Sequence, residues 1–167
     1  KPDPQIFKQV CEYSYEILAQ RMRELAYLNK GVSVTLVDKR NKDSKGNFLS
    51  EKFYSEEGLK EFVGFLDRNR EPIITGVIYM EANKNEIPVE VAMIYNTSFN
   101  ENLHSYVNNI NTHEGGTHLS GFRRGLTTTL KKYADASGLL DKLKFEISGD
   151  DFREGLTAIV SVKVNEP

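Results

Sequence analysis

Two histidines flank a glutamate and a pair of glycines in the middle of the chain, in the string HEGGTH (residues 113–118). Zinc proteases also place a glutamate between two histidines, but their histidines are four residues apart, so that both rings face the metal ion from one side of a helix. Here His113 and His118 are five residues apart, which turns them about 140° out of line on a helix. The two glycines between them also disfavour a helix. We therefore exclude a zinc-protease site.

The other residues that could bind a metal ion or act as a nucleophile are isolated in the sequence. His104 stands alone in a strand-like pattern, and the single cysteine, Cys11, has no histidine beside it. One cysteine excludes an internal disulfide and is typical of a reducing compartment. We therefore expect a cytoplasmic protein without a metal site.

Three carboxylates lie close together near the carboxyl end of the chain, at Asp150, Asp151 and Glu154. They could bind Mg²⁺, which prefers oxygen ligands, but Asp at the start of a helical turn is also a common cap, and we favour the capping role. The glycines at 115 and 116 could hold an anion on free backbone N–H groups, yet the string lacks the lysine of a phosphate-binding P-loop. No nucleophile, base and orienting group come together, so we predict no catalytic residue.

Residues 108–133 carry the strongest candidate binding surface. They predict an amphipathic helix: with Arg123 at 0° and 100° per residue, the apolar side chains fall between about 260° and 340°. These apolar residues are Leu119, Phe122, Leu126, Leu130 and Tyr133. The other side holds threonines and four cations, Arg123, Arg124, Lys131 and Lys132, and no acid occurs between Glu114 and Asp135. The cations could contact phosphates or face water, and charge alone favours water.

The composition is that of a globular protein of 167 residues, enough for one domain or for one domain with part of another. Its 22 basic and 24 acidic residues give a net charge of −2, which argues against a stand-alone nucleic-acid-binding domain. The sequence has no run of 18 apolar residues, so it predicts no transmembrane helix. The chain has no initiator Met and stops directly after a strand-like run, and we expect both ends to be cut from a longer protein.

Hydrophobic periodicity predicts the elements that must position these residues. A helix at residues 14–29 precedes a hairpin of strands at 32–38 and 48–54, and a second helix follows at 55–69. Strands are then expected at 76–82, 87–95 and 103–108, ahead of the long basic helix, with a short segment at 144–148 and a final strand at 156–164. This order predicts an α+β fold, a sheet with helices on one face.

Three strings, in this order, resemble the B-subunit family of the bacterial type IIA topoisomerases, DNA gyrase and topoisomerase IV. They are YEILAQRMRELAYLNKGVSVTLVDKR (residues 15–40), YVNNINTHEGGTHLSGFRRGLTTTLKKYA (106–134) and GDDFREGLTAIVSVKV (149–164). Together they span nearly the whole chain. The resemblance implies that residues 1–38 are the end of a GHKL ATPase domain and that residues 39–167 belong to the transducer domain. It also implies a four-stranded, ribosomal-protein-like sheet with a left-handed βαβ crossover, contrary to the usual hand.

In this family two ATPase domains dimerise around ATP and Mg²⁺, and an A-type partner subunit carries the DNA-cleaving tyrosine. The transducers form the walls of the cavity that admits the transported DNA segment and relay the nucleotide state to the DNA gate. The ATP-binding asparagine, the catalytic glutamate and the nucleotide lid are expected upstream of Lys1, and the Gln-Thr-Lys loop is expected beyond Pro167. We therefore predict that this chain alone neither binds nor hydrolyses ATP.

Arg123, in the string GFRR, matches an arginine that faces the DNA cavity in the family. Arg124 departs from the small residue found there in gyrases, and Lys131 and Lys132 join the surface through the helical wheel alone. The resemblance therefore favours a DNA-facing helix over a solvated one. Two alternatives stay open: a purely mechanical coupling module without direct DNA contact, and a stand-alone nucleic-acid-binding domain.

Overall fold

A computed structural model describes residues 3–8, 12–140 and 147–165 of the chain. The chain divides into two compact units, Lys1–Gly58 and Leu59–Pro167. None of the helices in these described ranges is long and apolar enough to cross a membrane.

The first unit is a helix against a two-stranded hairpin. Helix α1 (Tyr15–Leu28) begins at Ser14, whose hydroxyl accepts a hydrogen bond from the backbone N–H of Ile17 at 3.4 Å. Strands β1 (Val34–Lys42) and β2 (Phe48–Phe53) pair antiparallel. The buried side chains of Ala19, Ala26 and Phe53 form the core between helix and hairpin. The predicted helix and hairpin are confirmed.

The expected domain boundary after Asp38 lies within β1. Strand β1 continues to Lys42, and its partner β2 packs on the same helix, so residues 39–58 belong to the first compact unit. The assignment of these units to a GHKL domain and a transducer domain stays a prediction.

The second unit is built on a sheet of strand order β3-β4-β7-β5-β6. Along the chain, its elements are α2 (Leu59–Asp67), β3 (Ile78–Lys84), β4 (Ile87–Tyr95), β5 (Asn102–Val107), β6 (Ile110–Asn111), α3 (Thr117–Ala136), a 3₁₀ turn (Asp151–Arg153) and β7 (Leu156–Val162). Strand β5 pairs parallel with β7, and the other neighbours are antiparallel. The α+β class is confirmed, and the hand of the β5–α3–β7 connection stays a prediction.

The helices of this unit lie on opposite faces of the sheet, which corrects the expectation of helices on one face. Side chains alternate between the two faces along a strand. Helix α3 packs through Leu119 on Val91 and Val160. Helix α2 packs on the other face, where Phe62 meets Tyr106 with ring centroids 6.0 Å apart. Every residue of β7 is therefore buried, because both of its faces are covered.

Two tight hairpin turns have a positive φ at both central residues. Asn85 and Glu86 join β3 to β4 with φ of 53° and 64°, and Asn108 and Asn109 join β5 to β6 with φ of 49° and 65°. Such turns match the twist of paired strands, and asparagine tolerates the left-handed region. Strand β6 was not predicted. The predicted segment 144–148 lies mostly outside the described residues.

Candidate nucleic-acid interface

Helix α3 starts at a loop whose histidine packs back on the chain. The ring of His118 is half-buried, its Nε2 lies 3.3 Å from Oγ1 of Thr112, and burial lowers the pKa of the ring. A Cβ atom placed on Gly116 would come within 2.8 Å of this ring. His113 is exposed, and among the described residues no group of three or more His, Cys, Asp or Glu could hold a metal ion. The HEGGTH string is thus a turn that leads into α3.

The apolar side of α3 fixes which residues face away from the sheet. Leu119 is buried, and Phe122 and Leu126 pack on β4, β5 and β7. Tyr133, which the wheel placed on the same stripe, is 66% exposed. Tyr133 therefore lies off the packed side of the helix, although its neighbour Ala134 is buried, and the cations lie on the open side.

Three of the four predicted cations are open to solvent. Arg124, Lys131 and Lys132 are exposed, and none of them forms an ion pair with another residue in the part of the chain that the structure describes. Together with Arg123 they form what we call the basic surface of α3. Its side chains reach solvent from four positions along about two and a half turns of helix.

Arg123 differs from the other three because a carboxylate already holds it. Its Nε donates to Oε1 of Glu101 at 3.2 Å, and its Nη2 donates to Oε2 of the same residue at 2.7 Å. The two side chains are 41% and 25% exposed. Glu101 comes directly before β5, so the ion pair joins α3 to the start of β5.

Arg153, in the 3₁₀ turn before β7, shares that carboxylate. Its Nε lies 2.9 Å from Oε1 of Glu101, as an ion pair without hydrogen-bond alignment. Its Nη1 donates to Oγ1 of Thr127 and to the carbonyl oxygen of Gly149, both at 2.8 Å, and its Nη2 contacts Asp150. The basic surface is therefore connected to the segment that leads into the central strand.

The acidic string near this turn has a structural role. Asp151 accepts the backbone N–H of Ser148 at 2.7 Å, and the hydroxyl of Ser148 accepts the N–H of Asp151 at 3.3 Å. This reciprocal pair is a capping box, and the hydrogen bond from the Ser148 backbone lowers the pKa of Asp151. Asp150 pairs with Arg153. The capping interpretation agrees with this geometry.

Sequence reasoning missed Glu101 and Arg153. Glu101 lies 22 residues before Arg123 along the chain, and their contact depends on how α3 lies against β5. Arg153 was visible only as one letter of GDDFREG, with no periodicity to mark it. No signal in a single sequence could have found either partner.

The comparison with known protein families settles the relationship. A family model described as DNA gyrase B matches residues 58–167, most of the chain. The chain belongs to the DNA gyrase B family. The predicted resemblance is confirmed, and the match begins at the residue that closes the first compact unit.

Relatives and solved structures agree with this assignment. The chain is 60% identical to the B subunit of DNA gyrase from Eisenibacter elegans over 167 residues, which is all of this chain and 35% of the relative. It is 61% identical to that of Cytophaga hutchinsonii, covering 99% of this chain and 34% of the relative. It thus spans about a third of the length of these curated relatives.

Among solved structures, the 43K ATPase domain of Thermus thermophilus gyrase B in complex with an aminocoumarin superposes with a TM-score of 0.82 at 30% identity, over 100% of this chain and 44% of that one. The B-subunit of DNA gyrase from Myxococcus xanthus, at 24% identity, has the same fold, with a TM-score of 0.79 over 97% of this chain and 43% of that one.

The gyrase B family implies ATP, and two places beside α3, the cleft at the 3₁₀ turn and the loop at Gly116, do not fit a triphosphate. The open cleft beside the 3₁₀ turn is lined mainly by carboxylates, which repel phosphates: Phe99, Glu101, Asp150, Asp151, Arg153 and Glu154. At the start of α3, the ring of His118 already fills the space over Gly116. No step of ATP chemistry is therefore assigned to these residues.

Proposed function

We propose that this chain is part of the ATPase subunit of a type IIA DNA topoisomerase of the gyrase B type. In this proposal, residues 1–38 end the GHKL domain and residues 39–167 form the transducer, which couples ATP binding and hydrolysis to motion of the DNA gate. The whole enzyme would use ATP and Mg²⁺, pair two B-type subunits and work with a gyrase A-type subunit on duplex DNA.

We further propose that the basic surface of α3 lines the cavity for the transported DNA segment. The observation that carries this proposal is the set of exposed cations at Arg124, Lys131 and Lys132, which have no ion-pair partner among the described residues. Cations on a rigid helix attract phosphates whatever the base sequence. Contact of this kind suits a passage through which any DNA segment must move.

The test is binding of duplex DNA by the 167-residue chain across a series of salt concentrations. Each lost phosphate contact should reduce the slope of log affinity against log salt by about 0.9. We expect this reduction for Lys131→Ala. The matched control is Lys84→Ala, which removes the same charge from the exposed end of β3 and should leave the slope unchanged. Equal slopes for the two variants would contradict a role of α3 in DNA contact.

A second candidate is a mechanical coupling module without direct DNA contact. It is favoured by the Glu101 carboxylate, which joins Arg123 on α3 to Arg153 before β7. This candidate predicts no salt-dependent binding of duplex DNA by the wild-type chain. A stand-alone nucleic-acid-binding domain is disfavoured by the net charge of −2.

A further inference from the structure

The carboxylate of Glu101 lies where a phosphate would bind Arg123. Two parallel hydrogen bonds from Nε and Nη2, at 3.2 and 2.7 Å, hold the carboxylate on one edge of the guanidinium group. Arginine binds a phosphate group through the same pair of hydrogen-bond donors. A DNA phosphate that uses this edge must therefore displace Glu101.

Glu101 is itself held from the other side, so it does not simply follow Arg123. Nε of Arg153 lies 2.9 Å from Oε1 of Glu101, and the Arg153 side chain is only 16% exposed. Two hydrogen bonds of 2.8 Å, to Thr127 and to the carbonyl oxygen of Gly149, fix the Arg153 guanidinium group. The carboxylate thus has a defined position against the basic surface.

The charges of the four residues joined by these ion pairs balance. Arg123 and Arg153 contribute two positive charges, and Glu101 and Asp150 contribute two negative ones. Without DNA bound, the attraction of Arg123 for a polyanion is therefore largely cancelled by Glu101. Arg124, Lys131 and Lys132 have no ion-pair partner among the described residues. Exposed ion pairs are weak, so a closely approaching phosphate can compete with Glu101.

We propose that Glu101 is a positioning residue that fixes the orientation of Arg123 and limits its attraction for DNA phosphates. This inference rests on the proposed function, since it concerns the same surface of α3. Its consequence is that the basic surface holds a DNA segment less tightly than four free cations would. A limited affinity for phosphates would allow the surface to release each DNA segment after passage.

The experiment compares binding of one duplex to wild-type chain, Glu101→Gln and Glu101→Asp over a range of salt. Glutamine keeps the shape of the side chain but removes its charge, so Arg123 becomes available to a phosphate. We expect Glu101→Gln to bind roughly 3- to 10-fold more tightly at about 0.1 M salt, and its salt slope to steepen by about 0.9. Glu101→Asp keeps the charge and should bind like wild type.

Two further variants separate this effect from a general loss of negative charge and from misfolding. Glu86→Gln, in the turn between β3 and β4, removes the same charge away from α3 and should not steepen the slope. In an Arg123→Ala background, Glu101→Gln should also leave the slope unchanged, because the arginine through which it acts is gone.

The outcomes distinguish this inference from the proposed function. If Glu101→Gln binds like Glu86→Gln while Lys131→Ala still weakens binding, the role of Glu101 is overturned and DNA contact by α3 stands. If Glu101→Gln steepens the slope even without Arg123, the inference is likewise overturned. If no variant binds duplex DNA, both the inference and the proposed DNA contact are overturned.

Discussion

At the residue scale, the carboxylate of Asp38 in the first unit is paired with the guanidinium group of Arg40. Nε of Arg40 donates to Oδ1 at 2.9 Å, and Nη2 donates to Oδ2 at 2.6 Å. These hydrogen bonds from Arg40 lower the pKa of Asp38 to about 2. An aspartate in an unfolded chain has a pKa of about 3.9, so folding favours its charged form.

This shift predicts a pH-dependent contribution to stability. Because the folded pKa is depressed, the contribution is fully present above about pH 4 and is lost as the pH falls towards 2. Asp38→Asn should therefore unfold at a lower denaturant concentration than wild type at pH 7, and the difference should shrink between pH 4 and pH 2. Urea unfolding at several pH values measures it. A difference that stays constant down to pH 2 would contradict the role of the ionised carboxylate.

Whether the surroundings of a residue could be predicted from the sequence depended on how far along the chain its contact partners lie. The exposure of Arg124, Lys131 and Lys132 follows from the helical period of α3. The pairing of Arg123 with Glu101 does not, because it requires the packing of α3 against a strand 22 residues earlier. Long-range ion pairs of this kind need the tertiary structure.

At the scale of elements, the two ends of α3 should differ in their contribution to stability. Leu119 is 7% exposed and packs on Val91 and Val160. Its replacement by Ala removes buried apolar volume and should cost about 2–4 kcal/mol. Tyr133 is 66% exposed, and Tyr133→Ala should change the free energy of unfolding by less than about 0.5 kcal/mol. Chemical denaturation of both variants checks this, and similar losses would mean that the Tyr133 side chain is packed as Leu119 is.

Helices and strands with a clear hydrophobic periodicity, or with clear residues at their ends, were predicted well, whereas their arrangement in the fold was not. Helix α1, strand β4 and the start of β7 lie where the sequence placed them. The placement of α2 opposite α3 depends on which face of each strand a helix covers. Strand β4 has apolar residues on both faces, so its pattern fits either face. Strand β6 has only two residues and is too short for any periodicity, although Asn108-Asn109 is a recognisable turn signal.

At the scale of the whole molecule, the family match and the compact units divide the chain at the same place. The matched region begins at residue 58, and the second unit begins at Leu59. The family resemblance instead placed the end of the first domain at residue 38, and that assignment of named domains stays a prediction. In the structure the polar turn at 39–47 only reverses the chain between β1 and β2, which pair with each other.

The last prediction concerns the complete enzyme, in which α3 would meet a moving DNA segment. Arg123→Ala in the full-length B-type subunit, assembled with its A-type partner, should lower DNA strand passage several-fold at physiological salt. The melting temperature should change little, because an exposed ion pair such as Arg123–Glu101 contributes about 0–1 kcal/mol. Lys84→Ala in the same protein controls for the loss of one positive charge. Unchanged strand passage in Arg123→Ala would remove Arg123 from the proposed DNA-facing surface, and it would also argue against a mechanical role of the ion pairs that join Arg123 through Glu101 to Arg153, because the substitution breaks that connection.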